Sequence, residues 1–253
     1  LVRLGGLNSL DPLVEATKDS DEEIQIRATD GLVNFYLPGY IEFGLTASLK
    51  RAGSSLKGKF TDTNDRIIPP YVQVREDVVR AIGAVARGGI SDQSRANAAR
   101  AVGVLRGRAA LPDLAEALKS KKTPVIYESL VAIQKIGDPA AAGSFAFLLR
   151  DPDEKVQITA IETTGQLRNK EAAERLREVL GESKKIKVRR AALIALAKLP
   201  DPGNRPVYEQ FILARDDGLR GAAAEGFARL KNPEDAVRMV QMFNEEQKMN
   251  SRL

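Results

Sequence analysis

Apolar positions recur along this chain at helical spacing, and between Val125 and Asn232 the pattern itself repeats. Val125, Val156, Val188 and Leu219 each open a segment, and four residues on stands Ser129, Ala160, Ala192 or Ala223. Seven residues further comes Ile136, Leu167, Leu199 or Leu230, then two more bring Asp138, Asn169, Asp201 or Asn232. The steps between copies are 31, 32 and 31 residues. Apolar and small residues at this spacing line one face of an α-helix, and an Asp or Asn just beyond them is a natural cap for the next helix. Counted from that cap, a second apolar set follows: Leu114, Phe145, Leu176, Tyr208 and Met239 at the seventh position. The pairs Ala117/Leu118, Leu148/Leu149, Val179/Leu180, Phe211/Ile212 and Met242/Phe243 fill the tenth and eleventh. Gly107 holds the cap place in the first of these segments. Each unit therefore predicts two antiparallel amphipathic helices. A pair this short cannot bury both faces, so the period predicts units stacked in a row.

Upstream, residues 1–20 predict the tail of one helix and a short second helix through Leu13, Val14 and Thr17, with Asp11 as cap and Pro12 at the first helical position. From Asp21 a helix runs to about Tyr36, with Ile24, Ala28, Gly31 and Phe35 on one face. Residues 37–70 break the period, and helices over 71–87 and from about Ser94 to 106 follow. These last two are too close to hold another helix between them. Alternation of first and second helices then makes 71–87 the second helix of the unit begun at Asp21, with 37–70 inserted in its turn. The predicted organisation is a single array over 1–253: a partial repeat 1–20, a repeat 21–88 with insertion 37–70, and repeats 92–120, 122–151, 153–182, 184–216 and 217–248.

Two-helix units of this length, with V-x-x-x-A-x-x-x-(G/A)-x-L in the first helix and D-P or N-P at the turn, resemble HEAT repeats. The bacterial kind grouped as phycobilisome-lyase HEAT-like repeats is a particular likeness. The stretches carrying it are DEKVQITAIETTGQLRNKEAAERLREVL, KVRRAALIALAKLPDP and LRGAAAEGFARLKNPEDAVRMV. The resemblance covers 92–248 well and 1–36 adequately. It implies an all-α fold, an α-α superhelix (right-handed solenoid) of armadillo-like type, with second helices lining a concave face that meets partners. It specifies fold strongly and function hardly at all.

Composition narrows the chemistry. The chain has no Cys and no His, which removes disulfides, thiolate and imidazole metal sites, and His-dependent nucleophilic or general-base catalysis. It also removes the iron site of the HEAT-type hydroxylases. Asp216-Asp217 and Glu245-Glu246 are expected as surface or cap carboxylates, and Gly5-Gly6 and Gly88-Gly89 match no phosphate loop. No catalytic residue, cofactor or metal is expected. No apolar run reaches the length of a membrane span. The chain starts Leu1-Val2-Arg3, which predicts a fragment whose address signal could have been lost, leaving cytoplasm or bacterial periplasm open.

Charge points weakly at partners. Basic and acidic residues number 8 and 10 in 1–70, 23 and 15 in 71–200, and 8 and 9 in 201–253. Lys119-Lys121-Lys122 and Lys184-Lys185-Lys187-Arg189-Arg190 lie in corresponding turns, and Arg95, Arg100, Arg106 and Arg108 add to them. A nucleic-acid reading, like that of the HEAT-like DNA glycosylases, needs these cations on one track, which the acidic turn Asp151-Pro152-Asp153-Glu154 interrupts. A solvated, helix-capping edge is the alternative. The preferred expectation is a non-catalytic scaffold for a protein or peptide. Its contacts would come from the sixth and ninth positions after each cap: Asp113, Glu116, Arg175, Glu178, Gln210, Arg238 and Gln241. The insertion adds Tyr40, Phe43, Lys50, Arg51, Lys57 and Lys59, either as a recognition loop or as packing.

Overall fold

The computed structural model describes residues 7–40, 66–199, 201–233, 235–237, 239, 240 and 244. Among them there are helices and turns but no strand. The eleven α-helices named here are α1 Leu10–Ala16, α2 Glu22–Tyr36, α3 Glu76–Gly88, α4 Asp92–Val104, α5 Leu111–Ala117, α6 Thr123–Ile136, α7 Glu154–Gln166, α8 Ala173–Glu182, α9 Ile186–Ala197, α10 Arg205–Phe211 and α11 Asp217–Leu230. A tight 3₁₀ stretch, Pro139–Arg150, takes the second-helix place after α6. The chain forms two compact units, Leu1–Phe145 and Ala146–Leu253.

In the first unit α2 packs on α4 and α4 on α6, while α1 packs on α3 and α3 on α5. These are two rows, one of first helices and one of second helices, and each second helix also meets the first helix that follows it (α1 with α2, α3 with α4, α5 with α6). By these contacts α3 sits in the second-helix row and α2 in the first. In the second unit α7, α9 and α11 form the first-helix row, with α8 against α9 and α10 against α11.

The repeating positions are the core. Val125, Ser129, Val156, Ala160, Val188, Ala192 and Ala223 are all fully buried, as are Leu114, Phe145, Leu176 and Tyr208 at the seventh position of the second set. Small side chains bring neighbouring backbones close. A Cβ added at Gly103 would stand 2.8 Å from Ala132 Cα, and one at Gly165 2.8 Å from Ala195 Cα. Only glycine fits either contact without moving a helix.

Four of the turns inside repeats share one construction. Arg106, Gly137, Arg168 and Lys231 sit in the left-handed region (φ 47°, 68°, 53° and 55°), and the cap residue follows at once. Asp138, Asn169 and Asp201 accept from the N–H two residues on, at Ala140 (3.0 Å), Glu171 (3.2 Å) and Gly203 (2.9 Å). First helices are capped too: Asp21, Ser91, Asp153 and Asp216 accept from the N–H groups of Ile24, Ser94, Val156 and Leu219.

Two local expectations change. Asp11 does not cap α1, which begins at Leu10; its carboxylate instead meets Arg75 Nη2 at 2.7 Å. The helix expected from 71 begins at Glu76. Residues 66–75 are non-helical, with a turn at Pro70-Tyr71, and are tied down by Ile68 N–H to Val104 O (2.9 Å) and Arg75 N–H to Tyr36 Oη (3.2 Å). Most of the insertion, residues 41–65, lies outside the described residues.

Candidate partner-binding surface

The second-helix residues expected to meet a partner fall into two groups. Asp113, Glu116 and Glu178 are engaged: Asp113 with Arg87 (3.0 Å), Glu116 with Lys119 (2.7 Å), and Glu178 with Arg150 (2.8 Å). The first and last of these pairs join residues close to one repeat apart, so part of this surface holds neighbouring repeats together within each unit. Arg175 and Gln210 are exposed and have no partner among the described residues. Arg238, Gln241, Phe43, Lys50, Arg51, Lys57 and Lys59 lie outside the described residues. Tyr40 is half-buried at the end of α2's turn, with its N–H on Leu37 O, and Tyr71 is exposed.

One residue at these positions escaped the sequence reading. Phe147 stands nine residues after Asp138, the place of Glu116, Glu178 and Gln210, and is 55% exposed. The repeat register alone could have found it; a search limited to polar residues passed over it.

The basic residues are mostly committed to structure. At the fourth position after the first-helix cap, a long polar side chain reaches back to the carbonyls that end the preceding second helix. Arg95 Nε donates to Ala86 O (3.4 Å), Gln157 Nε2 to Leu149 O (2.9 Å), Arg189 Nε to Leu180 O (3.2 Å) and Arg220 Nη1 to Ala214 O (2.8 Å). The first three satisfy carbonyls that a helix end leaves without an intrahelical partner, and Arg220 does the same for the turn just beyond α10. Two positions in the series differ: Ile126 has no polar group, and Gln25 accepts from Ile90 N–H (3.0 Å) instead of donating to a carbonyl. Arg106 Nε donates to Lys135 O (3.2 Å), and Arg108 pairs with Asp138 (3.3 Å). Arg100 Nη2 meets Glu128 Oε1 at 2.6 Å, with the Glu128 side chain 6% exposed. Burial pulls the Arg100 guanidinium pKa down, but the hydrogen bonds and charge of Glu128 outweigh it and leave the value raised. Arg190 holds Asp216, whose carboxyl is pushed down to about 2 by those hydrogen bonds against a smaller opposing effect of burial.

A polar cleft of about 330 Å³ opens in the first unit between the end of α3, the start of α4 and residues 116–122. Arg87, Arg95, Lys119, Lys121 and Lys122 line it together with Asp92 and Glu116. Among the described residues no group of three or more acidic side chains could hold a metal ion, and no helix is long and apolar enough to cross a membrane.

Paired helices in rows, small residues between first helices and one capped turn per unit define an all-α repeat protein of the solenoid class. Residues 142–228 match the model of HEAT repeats and residues 94–120 that of the PBS lyase HEAT-like repeat, so the chain carries HEAT repeats across these stretches. No curated protein sequence matches it. Solved structures share the fold at low identity. The complex of CpcE and CpcF of phycocyanin lyase from Nostoc sp. PCC7120 aligns with TM-score 0.53 at 15% identity, covering 93% of this chain and 94% of that chain. A designed armadillo repeat protein in complex with the peptide (KR)4 aligns with TM-score 0.55 at 16% identity over 87% and 98%. Folds of this kind typically serve as protein-interaction scaffolds.

Proposed function

We propose that this chain is a non-catalytic interaction scaffold that binds a protein or peptide through the face its second helices present. The observation that carries this reading is in the second unit. There Phe147 exposes a large ring at a repeat position shared with Gln210, and Arg175 and Gln210 hold side chains with no partner among the described residues. An exposed ring and unspent polar groups at repeat positions of second helices are what an interface uses, since aromatic and Arg side chains dominate binding energy. The peptide bound by the designed armadillo repeat protein shows what such a fold can hold. The nucleic-acid alternative has no comparable support: Arg100 is paired with Glu128, Arg95, Arg106 and Arg189 each hold a carbonyl through Nε, and no observation aligns their remaining nitrogens into a phosphate track.

Selection of peptides from a displayed library against the full chain tests the reading. Binders should lose affinity in a Phe147→Ala/Arg175→Glu variant that melts like the wild type. Peptides that bind wild type and variant alike, or a library that yields none, would refute it.

A further inference from the structure

We propose that the cleft of the first unit is a separate binding site that receives the carboxylate side chains of an acidic peptide segment. It concerns other residues than the Phe147 surface and stands or falls without it. Its carboxylates are already spent, Asp92 on Lys122 (3.1 Å) and Glu116 on Lys119 (2.7 Å), and Arg87 is held by Asp113 (3.0 Å). Two cations are not spent. Lys121 is exposed with no partner among the described residues, and Arg95 commits its Nε to Ala86 O while its outer nitrogens remain available. With Asp113 counted against Arg87, five cations face three carboxylates, and the two unspent cations leave this open cleft with positive potential.

The occupant's chemistry follows from size and lining. A volume of about 330 Å³ suits one or two acidic side chains. A nucleic-acid strand would need cations continuing along a track and rings for its bases to stack on, and no aromatic residue lines the cleft. A guanidinium with free outer nitrogens grips a carboxylate from two sides, with the lysine as a second point charge.

The repeat itself supplies a gentle variant. Arg95→Gln places at this position the residue that makes the same carbonyl contact as Gln157, so it removes charge while keeping the bond. Fluorescence anisotropy of a fluorescein-labelled hexaglutamate peptide on the full chain at low salt is the measurement. The wild type should bind, and Arg95→Gln/Lys121→Gln should bind about tenfold more weakly, as expected for two lost charge contacts. Lys121→Gln alone, on an exposed residue, should account for part of that loss and melt like the wild type. A matched pair in the second unit, Lys184→Gln/Lys187→Gln, should change affinity less than about twofold. Equal losses in both pairs would assign binding to diffuse charge and overturn the proposal, as would no binding of hexaglutamate. Tighter binding of a 12-nucleotide single strand, lost in Arg95→Gln/Lys121→Gln, would replace it with a nucleic-acid site.

Discussion

The two units keep the same period but hold their first helices together differently. Both bring a glycine against an alanine backbone, Gly103 on Ala132 in the first and Gly165 on Ala195 in the second. They part company at the residue just before the small repeat position. In the first unit that residue is Asn97 or Glu128, and it bonds to a neighbouring helix: Asn97 Nδ2 to Asp30 Oδ1 (3.0 Å), and Glu128 to Arg100 through both its oxygens. In the second unit it is Thr159, Ala191 or Ala222. Thr159 Oγ1 donates to Lys155 O of its own helix (2.8 Å), and the alanines are buried with no polar group to satisfy. Small residues set how near the helices come, whereas polar pairs also set which neighbour fits. A buried pair adds little net stability, yet losing one member leaves a charge stranded.

The largest effect tests that difference. Glu128→Ala should destabilise the first unit by about 2–3 kcal/mol, because the half-buried Arg100 keeps its charge and loses its hydrogen-bonded partner. Replacing both residues with leucine should recover most of the loss. Urea unfolding read with hydrogen exchange in each unit measures both. If the double variant is as damaged as the single, the pair contributes stability of its own and the contrast between units fails.

The shared contact should behave alike in both halves. Gly165→Ala and Gly103→Ala each force a Cβ to 2.8 Å from a facing Cα, and each should cost about 1–2 kcal/mol after the gain in helix propensity is set against overpacking. A neutral result in one unit alone would mean that its helices are free to move apart.

Next come the back-reaching side chains. Gln157→Ala should cost about 1 kcal/mol by freeing Leu149 O from its partner. Ile126 already lacks such a group, so Ile126→Ala should show only the loss of apolar burial.

The reach of the sequence reading follows from these particulars. Val125, Ala160, Leu176 and Tyr208 were legible because burial of apolar side chains at helical spacing leaves a periodic trace. Asp138, Asn169 and Asp201 were legible because few residue types cap a turn. Arg106, Arg168 and Lys231 were not, since their left-handed backbone is set by the turn around them and only Gly137 advertises it. Glu128 and Asp30 were missed because a charge in sequence suggests solvent until its partner in another helix is known. On the candidate surface Asp113 and Glu178 were located correctly on second helices, but their engagement with Arg87 and Arg150 depends on reach between repeats, which spacing does not encode.

The left-handed positions yield a smaller prediction, one of gain. Arg168→Gly should stabilise the second unit by about 0.5–1 kcal/mol by relieving a backbone conformation that carries a penalty for any residue with a Cβ. Arg106→Gly should do the same in the first unit. A loss in either case, read by thermal melting, would show that the arginine side chain contributes more than its backbone costs. Arg106, with its bond to Lys135 O, is the position where that outcome is most informative.

The last difference is confined to acid. Asp216 caps α11 and takes two hydrogen bonds from Arg190, which hold its carboxyl at about 2 against an ordinary value of 3.8. The folded chain therefore keeps this group ionised where the unfolded chain has begun to protonate it. Stability from the pair is fully present above about pH 4 and is lost as the pH falls toward 2. Asp77 in the first unit is lowered in the same direction by its hydrogen bond from Arg75, so both units should weaken on acidification. Arg190→Gln separates them: it should lower the melting temperature at neutral pH and flatten the decline between pH 4 and 2 only in the second unit. An unchanged slope there would place the acid sensitivity of that unit on other carboxylates, and the ion pair between α9 and the turn before α11 would then be incidental to how the repeats are joined.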